Sequence, residues 1–393
     1  MSSDPLLHYR RQFPIVELTT YLVSHSLGAM PRAVYDRLRE YADVWATRGV
    51  RAWSEGWWDT PVSVGNLLGK ILDAPPDSVV MHQNVSVSES LVASSLDFKP
   101  PRNKVVYCDL NFPTVQYVWE ACRRRGAETV VVKSRDGMTI EMEDLLSAID
   151  ERTLVVEISH VFYKSAFLVD AKAVIDRAHA VGALVVLDCY QSTGTVPFSV
   201  RQLNADIVVG GSVKWLCGGP GAGYLYVRPD LWERLEPVMT GWAAHEAPFA
   251  FEPGPIRYAH GARRFLHGSP AVPALYAAQA GYEIVAEIGV PAIRERSVGL
   301  SQWFVEAAEE AGFKVTSPRD PNKRGGTVTV SVEPSHVGAA RGAAGAPIGP
   351  AVAQSSSSAT SSWTTAPAPG SASPHISTRT AKTSSASSRR RAS

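Results

Sequence analysis

Lys214 closes an apolar run, Ile207-Val208-Val209-Gly210-Gly211-Ser212-Val213-Lys214, and a turn of small residues, Gly218-Gly219-Pro220-Gly221, follows it. An amine carried on small residues can approach a flat aldehyde closely and condense with it as a Schiff base. Taken alone, a strand-end lysine fits a solvated surface charge equally well. Asp188 changes the reading, because it ends a second apolar run, Ala183-Leu184-Val185-Val186-Leu187, 26 residues earlier. A carboxylate beside a heteroaromatic nitrogen keeps that nitrogen protonated, and the ring then withdraws electrons from a bound substrate. By itself Asp188 also fits a turn or a helix cap.

Other polar residues stand at comparable places. Gln191, three residues beyond Asp188, can donate a hydrogen bond to a ring oxygen, or serve as an ordinary turn amide. Ser86 follows the run Val79-Val80-Met81 and begins a helical stretch, where free N–H groups and the helix dipole favour a phosphate; a plain serine cap is the alternative. Phe112, ahead of Pro113 and Thr114, can stack on a flat ring or simply fill core. An amine, a carboxylate, a phosphate-favouring helix start and a stacking ring together point to pyridoxal 5'-phosphate (PLP). The glycines from Gly218 to Gly223 match neither nucleotide-binding pattern, G-x-x-x-x-G-K-[ST] or G-x-G-x-x-G, and are read as turn formers behind the lysine.

The elements that must position these residues alternate from about Val79 to Val227. Strand-like runs at Val79–Met81, Val105–Tyr107, Thr129–Val132, Leu154–Ile158, Ala183–Leu187, Ile207–Val209 and Gly223–Val227 are separated by amphipathic stretches at 89–98, 115–125, 141–149 and 171–181. This spacing predicts an α/β fold, a mostly parallel sheet covered on both faces by helices. Such a sheet holds ligands beyond the carboxyl ends of its strands. There the chain places Asn84-Val85-Ser86, Asn111-Phe112-Pro113-Thr114, Ser159-His160, Asp188 with Gln191, and Ser212 with Lys214.

Composition narrows the class. The 393 residues suffice for one large domain and one smaller one. No apolar run approaches the roughly 18 residues of a membrane span, and the first residues lack the pattern of a signal peptide. Four cysteines without CxxC or metal-ligand spacing suit reduced thiols, so a cytoplasmic protein without disulfides or zinc is expected. Residues 1–337 carry 33 basic and 38 acidic residues, whereas 338–393 carry six Lys/Arg and no acid. The sparse tail positives come without aromatic interleaving, so nucleic acid is not an expected partner.

The stretch Leu187-Asp188-Cys189-Tyr190-Gln191-Ser192-Thr193-Gly194, the Asn204-Ala205-Asp206 step and the Ser212-Val213-Lys214 turn resemble the class V aminotransferase superfamily of PLP fold-type I. Ser26-Leu27-Gly28-Ala29-Met30-Pro31 is similar to the kynureninase signature N-S-L-G-x-x-P. Asn111–Thr114, Ser159–Ser165 and Gly241-Trp242 are similar to its N-F-P-S, T-H-V-N-Y-K-T and G-W segments. The resemblance covers about residues 15–335. It implies Lys214 as the Schiff-base lysine, Asp188 on the ring nitrogen and Phe112 stacked on the ring. It also implies Val85, Ser86 and Ser212 around the phosphate, Thr114 among the cofactor-binding residues, Ser159, His160 and Gln191 along the ring's other polar edge, and Ser26 at the substrate. Trp242 and Ser269 match positions that reach the cofactor of a second subunit, which implies a homodimer. Two positions depart: Gln191 stands where kynureninases have His, as in cysteine desulfurases, and Val213 stands where they have Tyr.

The resemblance therefore implies a kynureninase-like hydrolase or lyase acting on an amino acid at its β-carbon. A class V aminotransferase and a cysteine desulfurase or C–S lyase are alternatives, and a non-catalytic PLP-fold protein is another. The chain is expected to divide into an N-terminal segment (1–35), a large PLP-binding domain (36–255), a smaller α+β domain that is incomplete (256–337), and a tail (338–393). The tail's Ala, Gly, Ser, Thr and Pro cannot build a core, so disorder is expected. Back-translated with G/C-rich codons and read from the third base, Ser362–Thr378 yields Arg-Val-Ser-Pro-His-Phe-Tyr, similar to the family's R-x-S-P-H-x-Y. The tail is accordingly also read as a frameshift beginning after about His336.

Overall fold

The computed structural model describes residues 4–331 and the backbone of one further strand, 360–364. All seven expected strands form: β1 (Val79–His82), β2 (Lys104–Cys108), β3 (Glu128–Val132), β4 (Thr153–Ser159), β5 (Leu184–Asp188), β6 (Ile207–Gly211) and β7 (Gly223–Val227). They make one sheet in the order β1-β7-β6-β5-β4-β2-β3. The pairs β2–β3, β2–β4, β4–β5 and β5–β6 are parallel. β7 runs antiparallel to both β6 and β1. The link from β6 to β7 is the lysine turn itself, too short for a helical crossover, so the chain returns antiparallel.

Successive residues point to opposite faces of a strand, and here both faces are dry. Val106, Val156, Leu187 and Val208 join Leu68, Leu72, Val174, Ile175 and Leu275 in one apolar cluster. Their neighbours Val105, Val155, Val186, Ile207 and Val209 join Trp119, Leu225 and Phe265 in another. Burial on both sides is why these runs are continuously Val- and Leu-rich rather than alternating. The parallel core delivers the carboxyl ends of β2, β4, β5 and β6 to one edge, each followed by the polar residues named above.

The helix after β1 spans Val85–Ser94, and Asn84 caps it by accepting a hydrogen bond from Val87 N at 3.1 Å. The structure starts this helix ahead of the expected 89–98; Ser86, read as beginning a helix, lies in its first turn, and the cap is Asn84, two residues before it. The helices Val272–Ile288 and Val290–Glu310 are joined at Gly289, whose φ of +82° suits glycine. They precede a small antiparallel sheet of β8 (Lys314–Val315), β9 (Thr327–Ser331) and β10 (Thr360–Thr364), in the order β10-β9-β8. β10 departs from the expectation that 338–393 is without structure: its backbone pairs along β9 and covers what would be an open strand edge. The rest of that tail, with the frameshift reading, lies outside the described residues. Among the described residues, no helix is long and apolar enough to cross a membrane.

Candidate active site

Lys214 Nζ lies 4.5 Å from the centroid of the Tyr190 ring and 5.6 Å from that of Phe112. Burial penalises the ammonium and lowers its pKa to about 8, while the charge of Asp188 acts in the opposite direction. The side chain is therefore partly in its nucleophilic form near neutral pH. The turn that carries it is held from outside by the N-terminal segment, because Gly28 N donates to Val213 O at 2.7 Å. A Cβ on Gly28 would stand 2.0 Å from Lys214 O, so only glycine permits this approach. Ser26 is an exposed residue of the same segment.

Asp188 ends β5 with 5% exposure. Its Oδ1 accepts from Tyr190 N at 2.8 Å and its Oδ2 from Ser159 Oγ at a long 3.4 Å. Burial raises its pKa; the Tyr190 N–H, Lys214 and Ser159 each oppose that rise. No Lys, Arg or His among the described residues makes an ion pair with it. A buried carboxylate with one firmly and one weakly bonded oxygen is suited to a cationic N–H donor, which a protonated pyridine nitrogen would be. Gln191 is fixed at both ends, its Oε1 accepting from Trp215 Nε1 at 3.0 Å and its Nε2 donating to His25 O at 3.2 Å. One amide hydrogen is left for a ligand.

At the start of the helix Val85–Ser94, Ser86 Oγ and Thr114 Oγ1 lie 3.1 Å apart, from two different strand ends, and Val85 is buried beside them. Ser212 donates to Ala222 O at 2.6 Å and shares a short hydrogen bond with Tyr282 OH. Phe112 is 41% exposed and caps the helix Pro113–Ala121, its ring packed edge-on against Tyr163 at 5.1 Å.

Three expected residues sit elsewhere in the protomer. The His160 ring packs edge-on to Phe198 at 5.2 Å and lies 3.9 Å from Cys189 Sγ, so only its backbone, donating to Asp188 O at 2.9 Å, joins the site. Burial lowers the His160 pKa to about 4. Trp242 belongs to an aromatic cluster with Trp58, Phe249 and Phe251, and Ser269 lines a small cavity with His82, Gln83 and His267. Residues not anticipated from the sequence also enter. His25 has a buried Nδ1 without a hydrogen-bond partner, and burial and the charge of Lys214 lower its pKa to about 4. Tyr190 forms one wall of the lysine's surroundings; its place two residues after Asp188 was the available signal. Tyr282 had none, being distant in sequence and part of an apolar helix.

Lys214, the buried Asp188 and the helix start at Val85 stand together at the carboxyl edge of this sheet, the arrangement expected of a PLP enzyme of fold-type I. Residues 20–341 match the family model Aminotransferase class-V, and the chain belongs to that family. It is 32% identical over 346 residues to a kynureninase of Pseudomonas fluorescens, covering 84% of this chain and 80% of that protein. It is 32% identical over 309 residues to the uncharacterized aminotransferase YcbU of Bacillus subtilis (strain 168), covering 79% of this chain and 80% of that one. The apo cysteine desulfurase of Thermococcus onnurineus NA1 shares the fold, with a TM-score of 0.75 at 21% identity over 85% of this chain and 84% of that one. The chain is a PLP-dependent class V enzyme.

Proposed function

We propose that the enzyme acts on an amino acid and cleaves it at the β-carbon, as a kynureninase-like hydrolase or lyase. The observation that carries this reading is Lys214 opposite Asp188, set in a chain 32% identical to a kynureninase over most of its length. When bound, PLP supplies the electron sink for charge developing on the substrate. Lys214 Nζ is the attachment point and, once released, moves the proton at the substrate's α-carbon. Asp188 holds the ring-nitrogen proton, and Ser159 orients Asp188. Phe112 stacks on the ring, while Val85, Ser86, Thr114 and Ser212 surround the phosphate. Gln191 and the His160 backbone border the ring's polar edge, and Ser26 faces the substrate. Trp242 and Ser269 complete the site of a second copy of the chain in a homodimer.

Gln191 and Val213 favour a second reading, in which C–S bond cleavage or amino-group transfer replaces hydrolysis, because the kynureninase His and Tyr are both missing. The deciding experiment incubates the PLP-loaded protein with L-kynurenine, L-cysteine and a panel of amino acids, following anthranilate, sulfide and keto acid. Anthranilate release supports the proposal. Sulfide or keto acid alone transfers the assignment to the second reading, and no turnover by protein that borohydride labels at Lys214 indicates a non-catalytic PLP-fold protein.

A further inference from the structure

Behind Asp188 lie two carboxyls for which the chemistry above has no use. Glu89, on the helix Val85–Ser94, and Glu157, on β4, are both 0% exposed. Glu89 Oε2 accepts from Trp119 Nε1 at 3.1 Å, and Glu157 Oε2 accepts from Asn111 Nδ2 at 2.7 Å. Each keeps a buried Oε1 with no donor among the described residues other than the paired carboxyl, and the two carboxyls hydrogen-bond to each other. A path of hydrogen bonds leads from them to Asp188. Asn111 Oδ1 accepts from Ser159 N at 3.4 Å, and Ser159 Oγ donates to Asp188 Oδ2 at 3.4 Å.

The surroundings offer no compensating charge. The titratable groups that face the pair are Asp188 from β5, Cys108 from β2 and Cys122 beyond the helix Pro113–Ala121, and none of these is a cation. The nearby cation, Lys214, acts on Asp188. No Lys, Arg or His among the described residues pairs with either glutamate. Burial raises both carboxyl pKa values well above the usual range; the charge of Asp188 raises both further and Glu89 raises that of Glu157, while the hydrogen bonds from Trp119 and Glu157 act downward on Glu89. Two like-charged carboxylates in a dry interior cannot both ionise without a partner.

We infer that Glu89 and Glu157 retain a shared proton at neutral pH and act as positioning residues, holding Asn111, and through it Ser159 and Asp188, in place. The pair then carries one negative charge instead of two, and Asp188 remains the carboxylate that answers the ring nitrogen. This rests on the role proposed for Asp188 above.

Infrared spectra of the full chain at neutral pH should contain a protonated-carboxyl C=O band that the E89Q/E157Q double variant lacks, with or without cofactor. In the PLP-loaded protein, Glu157→Gln copies the neutral acid in shape and hydrogen bonding. It should bind PLP within about threefold of the unmodified chain and leave the ring nitrogen protonated, read from the 15N signal of labelled PLP. Glu157→Leu removes the side-chain acceptor of Asn111 Nδ2 and leaves it only the Glu157 backbone oxygen at 3.1 Å; it should weaken PLP binding roughly tenfold or more, shifting that signal towards the unprotonated form. If Glu157→Leu fails to fold, Ser159→Ala cuts the same path and is read by the same signal. The inference is overturned if the unmodified chain has no protonated-carboxyl band, or if Glu157→Gln behaves like Glu157→Leu. An unprotonated ring nitrogen in the unmodified chain would instead remove the Asp188 role, and the cofactor-free infrared comparison would still decide the state of the pair.

Discussion

Lys214 must shed a proton before it can attack a carbonyl carbon, and its burial brings that step close to neutral pH. With a pKa of about 8, the amine is mostly ammonium below that pH and mostly free above it. Uptake of PLP by the apoprotein should therefore accelerate about tenfold per pH unit up to about pH 8 and then level off; stopped-flow absorbance across pH 6–9.5 measures it, and a flat profile would show the amine already free. Asp188→Asn keeps the volume but removes the charge that holds the ring proton. Steady-state assays should show kcat/KM falling by on the order of a hundredfold with PLP still bound, whereas near-normal turnover would place the ring nitrogen elsewhere. Both residues were legible because each is polar and ends a strongly apolar run. Glu157 was not, for it lies within such a run, Leu154-Val155-Val156-Glu157-Ile158, where a carboxyl reads as a solvent-facing interruption. The partners that hold it inside, Asn111 and Glu89, are 46 and 68 residues away in the chain and carry no local signal. His25 was equally hidden: its site environment is created by the docking of the N-terminal segment, a contact between residues far apart in the chain.

At the scale of elements, runs of Val, Ile and Leu predicted where strands form but not which way they run, so the reversal of β7 needed the β6–β7 link to be seen as a turn rather than a crossover. The helix start was legible at Ser86, whereas the amphipathic stretch was placed at 89–98 because the first turn, Val85-Ser86-Val87-Ser88, alternates apolar and polar residues like a strand. Asn84, capping Val87 N, decides the matter. A further contact couples two elements directly to the chemistry: the segment around Gly28 is pinned to the lysine turn by the bond from Gly28 N to Val213 O at 2.7 Å. Gly28→Ala introduces a Cβ 2.0 Å from Lys214 O, so one of the two backbones must move. A loss of about 1–3 kcal/mol in urea-unfolding stability is expected, together with faster PLP release, because His25 and its hold on Gln191 move with the segment. If stability falls while PLP release is unchanged, the segment is a brace for the fold and not part of the cofactor's enclosure.

For the whole molecule, the aromatic cluster around Trp242 is the feature a lone protomer leaves unexplained. Trp242 is 40% exposed, Phe249 53% and Phe251 73%; the three rings pack on one another, and Trp242 and Phe249 also on Trp58. Exposed aromatic area of this kind suits a protein–protein contact, and the homodimer proposed above, with Trp242 and Ser269 serving the second copy's cofactor, would use it. Subunit mixing tests this arrangement more sharply than size alone. Let one variant carry Lys214→Ala and the other carry both Trp242→Ala and Ser269→Ala, each having little activity by itself. If Trp242 and Ser269 serve the second subunit, a mixed dimer contains one site with all the lesions and one with none. Equal mixing after reversible dissociation should then recover roughly a quarter of the unmodified activity, since half the dimers are mixed and half of their sites are intact. If these two residues instead serve their own chain, every site in the mixture keeps a lesion and no activity returns. Sedimentation of the mixture establishes that dimers have formed, so that silence in the assay counts against the shared site and not against the mixing.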